Sequence, residues 1–237
     1  MNTFVFDLDG TLLPMPDQEL FLNTYFKALY KKAALHGQNP DVLTKAVWKS
    51  TGAMLKNDGA MTNEQRFWRD FCGLMGEEGR SLEPVFDHFY RNEFLEAKET
   101  TFTHPNAAES IRLLKEKGYE VVLATNPLFP RIATLTRMDW AGLDPEDFLW
   151  ITTYENSSYC KPNLDYYREI LRNIEKLPEE CIMVGNDVRE DMCAALLGMD
   201  TFLLKDCLIC PEKEDYTHYH QGDFDDLLKF IREIPEL

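Results

Sequence analysis

Two aspartates stand two residues apart near the N-terminus, in Phe6-Asp7-Leu8-Asp9-Gly10-Thr11. A carboxylate can attack phosphorus and form an acyl phosphate, which divides one difficult hydrolysis into two easier steps. Asp7 suits that role. A second acid reaching over the same turn, Asp9, can protonate the leaving oxygen and then activate the water that cleaves the intermediate. A carboxylate nucleophile and a phosphate repel each other, so this chemistry calls for a divalent cation such as Mg²⁺ on hard oxygen ligands. Additional carboxylates come from Asp187 and Asp191 in Gly185-Asn186-Asp187-Val188-Arg189-Glu190-Asp191. A lysine point charge and a hydroxyl donor can stabilise the phosphoryl oxygens as charge redistributes, which gives parts to Lys161 and Thr125. With Thr11 and Asn126 these two form the candidate phosphate-binding set. Asp7, Asp9, Asp187 and Asp191 form the candidate metal set.

Each cluster has an ordinary reading in isolation. Asp-x-Asp-Gly is usually a solvated turn. Asp187 with Glu190 could be a helix N-cap and its partner, and Asp191 a first-turn acid facing the helix dipole. Thr125-Asn126 precedes Pro127 as turns often do, and Lys161 could be a solvated charge before a helix with Pro162 at its first position. A calcium loop fits poorly, because Thr11 and Gln18 stand where acidic ligands are wanted and the glycine comes too early. What joins the clusters is position: all four follow predicted strands, and strand ends of a parallel sheet converge on one site.

The elements that must position them begin with Thr3 to Leu8, a short β-forming run ending in a tight turn. From about Pro16 to Thr101 the periodicity is helical, with Leu20, Phe21, Tyr25, Phe26 and Leu29 on one stripe. Asp41 to Leu55 reads as helix, Thr62-Asn63-Glu64-Gln65 as a capping box, and much of Leu82 to Ala97 as a last helix of the block. A βα rhythm follows: helix near Asn106 to Lys117, strand Tyr119 to Ala124, strand near Leu149 to Thr153, and a helix after Pro162. Strand Cys181 to Val184, helix Arg189 to Leu197, strand Thr201 to Leu204 and helix Phe224 to Ile234 complete it. This predicts an α/β fold: a three-layer, Rossmann-like parallel-sheet core of residues 1–14 and 102–237 with an inserted all-helical cap of residues 15–101.

Length and charge narrow the field. A chain of 237 residues can bury a sizeable core, and a formal net charge of −16 argues against a general nucleic-acid binder, which needs Lys and Arg to displace counterions. An anionic substrate would have to be drawn by a local cation. The N-terminal run is too short and lacks the basic leader of a signal peptide, and no apolar stretch is long enough to span a bilayer, so a cytoplasmic protein is expected, with no membrane partner. Six scattered cysteines suit a reducing compartment. Cys207, Cys210, His218 and His220 invite a zinc reading, but a lone C-x-x-C is a weak signal. Oligomeric state is not legible.

The four clusters, in this order and spacing class, resemble the signature of the haloacid dehalogenase superfamily. Asp7-Leu8-Asp9-Gly10-Thr11 matches its D-x-D-G-T motif without departure, and the α/β region follows its core organisation. The resemblance implies that the Asp7 side chain is nucleophile and metal ligand, and that Asp9 gives its backbone carbonyl to Mg²⁺ and its side chain as acid/base. It further implies second- and third-motif roles for Thr125 and Lys161, and that the helical insert closes over the site and selects substrates. The fourth motif departs: Asn186 directly follows Gly185, where an aspartate is common. A shorter reading aligns Asp187 and Asp191, and a longer one puts Asn186 in the ligand position. Asp187 is preferred, since a carboxylate binds Mg²⁺ better than a carboxamide.

The expected function is Mg²⁺-dependent hydrolysis of a small phosphorylated metabolite through an aspartyl-phosphate. A phosphotransferase or sugar-phosphate mutase would keep the same residues, and a catalytically silent binding protein could keep the same fold. Dehalogenation is disfavoured because carbon–halogen cleavage does not need the acid at Asp9. In the insert, Trp48, Trp68 and Phe71 read as cap core, while Phe21, Tyr25 and Arg66 could face the substrate.

Overall fold

The computed structural model of the chain describes residues 1–211 and 214–237, with residues 77 and 78 described in backbone only. Six parallel strands form one sheet: β1 (Thr3–Phe6), β2 (Glu120–Leu123), β3 (Trp150–Ile151), β4 (Cys181–Gly185), β5 (Asp200–Leu204) and β6 (His220–Gly222). Their order across the sheet is β3-β2-β1-β4-β5-β6, so the chain reverses its winding direction at β1. β1 is therefore central, and its four residues are fully buried.

Alternation along the strands assigns the two faces. Phe4, Phe6, Val121, Leu123, Ile182 and Val184 pack in one apolar cluster with residues of α5 (Pro105–Glu116), α6 (Arg131–Trp140) and α8 (Phe224–Glu233). Val5, Val122 and Met183 pack on the other face with Tyr166, Tyr167 and Ile170 of α7 (Leu164–Asn173). Burial on both faces explains why the central strands read as continuous apolar runs, and the result is the expected three-layer α/β core.

Between β1 and α5 lie α1 (Gln18–Leu35), α2 (Pro40–Met54), α3 (Asn63–Met75) and α4 (Glu83–Arg91), with 3₁₀ turns at Glu77–Leu82 and Glu93–Thr100. The Asp17 carboxylate caps α1 by accepting from the Leu20 amide at 2.8 Å, and Thr62 with Gln65 forms the predicted capping box on α3. Where this block leaves and re-enters the sheet domain, the Phe102 amide donates to the Pro14 carbonyl at 3.0 Å. Asn63, fully buried, seats α3 on the sheet domain through its amide, which donates to the Ser157 carbonyl at 2.8 Å. No helix among the described residues is long and apolar enough to cross a membrane.

Several expectations change. The helix predicted over Leu82 to Ala97 breaks at Asn92, whose side-chain amide donates to the His88 carbonyl and diverts the backbone into 3₁₀ turns. The helix predicted over Arg189 to Leu197 is only a 3₁₀ segment at Met192–Leu197, because side-chain bonds of Asp187 and Asp191 hold residues 187–191 in a turn. α6 had no apolar signature: its buried face includes Thr134 and Arg137 beside Ala133 and Met138, which blurs the helical period. Trp48, expected in the cap core with Trp68 and Phe71, is 60% exposed, whereas the other two are buried. Leu20 likewise falls off the buried stripe of α1, being half exposed.

Candidate active site

Register places the candidate residues side by side. Phe6 is paired with Leu123 on one flank and Val184 on the other, so Asp7, Thr125 and Asn186 all emerge from the same end of the sheet. The Asp7 amide donates to the Val184 carbonyl at 2.9 Å, holding the start of the turn against β4. The turn then closes through Thr11 and Leu13 amides that donate to the Leu8 carbonyl at 3.1 and 2.8 Å. Gly10 has φ +84°, and a Cβ there would meet Asn186 Nδ2 at 2.3 Å, so both conformation and close approach require glycine.

A cavity of about 330 Å³ opens over these strand ends. Asp7, Asp9, Thr125, Asn126, Asn186, Asp187, Glu190 and Asp191 form its polar wall, and Gln18, Phe21 and Leu22 of α1 face them. At the centre of the wall, Lys161 Nζ donates to Asp7 Oδ1 and Asp191 Oδ1, each at 2.7 Å. Lys161 and Asp191 are almost wholly buried. Burial alone would lower the Lys161 ammonium, but Asp191 and Asp7 outweigh it and hold the pKa well above its ordinary value. Burial pushes the Asp191 carboxyl up, with Lys161 opposing. The other oxygen of Asp191 accepts from the Asp187 amide at 3.0 Å. A Cβ at Gly185 would fall 2.1 Å from that oxygen, so this glycine makes room for the carboxylate.

Asp9 has a partner that sequence reasoning missed. The guanidinium of Arg137, on α6 and fully buried, donates to Asp9 Oδ2, and it also lies over the Phe129 ring at 4.5 Å. Asp9 Oδ1 is buried without a hydrogen-bond partner among the described residues. Burial raises the Asp9 carboxyl above its ordinary pKa, with Arg137 pulling the other way. Glu190 was also passed over, except as a cap partner. It accepts from Asn126 Nδ2 at 3.1 Å, and burial raises its carboxyl.

The remaining candidates divide between wall and support. The Thr125 carbonyl accepts from the hydroxyls of Thr152 at 2.7 Å and Tyr166 at 2.8 Å, fixing the backbone beneath the cavity. Thr11 is fully buried, and its hydroxyl donates to Asn186 Oδ1 at 3.0 Å, so it supports the wall from behind. Asn186 in turn donates to the Cys207 carbonyl, while Asp187 Oδ1 accepts from the Arg189 and Glu190 amides at 2.7 and 2.8 Å. Both reach the cavity. Of the roof candidates, Phe21 lines it, whereas Arg66 pairs with Asp70 along α3. The zinc grouping does not form: His220 packs edge-on against Phe202 and Phe230, and the Cys210 thiol lies against the Glu214 carbonyl.

Among the described residues no three His, Cys, Asp or Glu side chains are gathered as a ready ligand set, since Lys161 draws Asp7 and Asp191 to itself and Asp187 caps a turn. The donor chemistry nevertheless suits a hard cation. Five carboxylates line one cavity, their buried counter-charges are Lys161 and Arg137, and Asp9 Oδ1 and the amide oxygen of Asn126 are buried without partners among the described residues. An anionic ester entering such a wall meets net repulsion unless a divalent ion joins it.

The family model for haloacid dehalogenase-like hydrolases matches residues 1–196. Among curated relatives, the pyrophosphatase PpaX of Bacillus cereus (strain G9842) is 27% identical over 192 residues, covering 79% of this chain and 75% of the relative. Among solved structures, a HAD phosphatase from Thermococcus onnurineus superposes with a TM-score of 0.61 at 17% identity over the full length of both chains. The L-2-haloacid dehalogenase from Xanthobacter autotrophicus superposes with a TM-score of 0.55 at 14% identity, covering 99% of each. Such distant likenesses speak for the fold, and one fold here carries two chemistries.

Proposed function

Because this chain belongs to the haloacid dehalogenase-like hydrolase family, we propose that it hydrolyses small phosphate monoesters through an aspartyl-phosphate on Asp7. The observation that carries this reading is the joint placement of Asp7 on Lys161 and of Asp9, two residues on, against Arg137 in one cavity. The pyrophosphatase relatives support cleavage of a phosphate linkage, and Asp9 favours phosphoryl over halide chemistry.

In this reading the phosphoryl group enters between Asp7 and the Thr125-Asn126 wall. The free oxygen of Asp7 attacks phosphorus, the bond from phosphorus to the ester oxygen breaks, and Asp9 gives that oxygen its proton. The alcohol leaves. Asp9, now ionised, takes a proton from water as the water attacks the acyl phosphate, which returns free Asp7 and inorganic phosphate. Lys161 fixes the rotamer of Asp7 and places positive charge beside the transferring group. Arg137 holds the Asp9 carboxyl over the turn, while burial favours the protonated form that donation needs. Asp7, Asp187 and the Asp9 backbone carbonyl would hold Mg²⁺, with Asn186 on the same wall and Asp191 acting through Lys161 and the Asp187 amide. Mg²⁺ supplies the positive charge that lets carboxylate and phosphate approach.

Residues 15–101 serve as the cap and residues 1–14 and 102–237 as the catalytic core of a cytoplasmic enzyme, a setting supported by six free cysteines. The test is phosphate release from an aryl ester in Mg²⁺. Asp7→Asn should lower turnover at least about 1,000-fold with an unchanged circular dichroism spectrum. Undiminished activity in that variant excludes the mechanism.

A further inference from the structure

Beyond the catalytic cavity, a second pocket of about 90 Å³ lies among α1, α2, α3 and α4, closed beneath by residues 128–130 and Tyr154. The two share Leu22, Leu128 and Phe129, so the pocket continues the site away from the phosphoryl group. No lining residue carries a charge, and nine of the fourteen are aromatic, including Tyr25, Phe26, Trp48 and Phe67. Resting on the phosphatase reading above, we propose that the preferred ester carries a flat apolar ring on its leaving group, seated in this pocket.

Three of the four lining hydroxyls are engaged within the protein. Those of Tyr25 and Tyr90 bond each other at 3.1 Å, and that of Thr51 donates to the Val47 carbonyl at 3.0 Å. The Trp68 indole N–H is buried without a hydrogen-bond partner among the described residues, so the pocket keeps a spare donor. A sugar or polyol with several hydroxyls would still lose more water than so few groups replace, a cost that a hydrocarbon ring does not incur. The volume is on the scale of one ring. The wall next to the catalytic cavity is stiff: Phe129 meets Tyr25 edge-on at 5.7 Å and carries the Arg137 guanidinium on its face. The outer edge is Trp48, an indole 60% exposed and propped edge-on by Phe26 at 5.5 Å. An aromatic held at a rim without being buried offers a ligand a face to stack on. Pyrophosphate, with a second charged group in place of a ring, would find no counter-charge in this pocket.

The test compares kcat/KM in Mg²⁺ for 2-phenylethyl phosphate, glycerol phosphate, adenosine monophosphate and pyrophosphate, with methyl phosphate as the minimal ester. Phenylethyl and glycerol esters both release alkoxides, so their difference reports binding of the leaving group. The expected preference for the phenylethyl ester over the glycerol ester is about 30-fold or more. Trp48→Ala should lower the phenylethyl-to-methyl ratio about fivefold, and Thr51→Phe, which fills the pocket from α2, about tenfold. Turnover of glycerol phosphate, adenosine monophosphate or pyrophosphate as good as that of the phenylethyl ester overturns the inference, as does a ratio unmoved by Trp48→Ala. Absence of phosphate release from every compound refutes the phosphatase reading instead.

Discussion

The floor and the roof of the site are built on opposite principles. On the floor, Asp7, Lys161 and Asp191 hold one another by bonds of 2.7 Å, and each position is set by chemistry more than by shape. The roof contains Phe21, Tyr25, Phe67 and Trp68 in edge-to-face contacts with neighbouring rings, and shape is nearly all it offers. In the proposed reading the floor performs the reaction on any ester that reaches it, and the roof chooses which ester arrives. Changes to the floor should therefore reach the rate of the chemical step, and changes to the roof should reach stability and selection.

The largest effect is expected at Lys161. Lys161→Met leaves the buried Asp191 carboxylate without its cation, which should cost about 3–5 kcal/mol of stability in urea unfolding. It should also lower kcat about 100- to 1,000-fold where the protein is still folded. Retention of wild-type kcat would break the distinction at its strongest point. In the roof, Phe71 is fully buried and lines neither cavity. Phe71→Ala should lose about 3–5 kcal/mol in the same assay, with kcat for methyl phosphate within twofold. A large fall in kcat would show that roof packing enters the chemical step.

Arg137 joins the two regions, with Asp9 on one side and Phe129 on the other. Arg137→Met should lower kcat about tenfold at neutral pH. The pH profile carries the sharper sign. Asp9 must be protonated to donate, and its pKa is raised by burial and held down by Arg137. Removing Arg137 lifts the pKa further, so the alkaline limb of kcat should move to higher pH. A limb that moves to lower pH would remove Arg137 from this role.

The same contrast explains what could be read before folding. The convergence of Asp7, Asp9, Lys161 and Asp191 was legible because each cluster follows a strand of a parallel sheet. The parallel sheet and its three layers followed from the alternation of β and α segments, whereas the strand order was not predicted and β6 carried no strand signal. Arg137 was not legible, because its helix buries Thr134 and an arginine where an apolar stripe was sought. The turn at 187–191 was hidden for a related reason. Its shape is set by Lys161 and by side-chain caps, both of which override helical periodicity. Trp48 looked like core, since an indole at helical spacing gives the same pattern whether it faces protein or a rim.

The most direct test of the account is to trap the intermediate. Asp9→Asn enzyme would be mixed with substrate and Mg²⁺, quenched in acid, reduced with borohydride and digested for peptide mass spectrometry. Asp7 should be recovered as homoserine, the product of reducing an acyl phosphate, and untreated enzyme should retain aspartate there. Steady phosphate release by wild-type enzyme with Asp7 never modified, or with the adduct on another residue, would contradict the assignment of Asp7 as nucleophile.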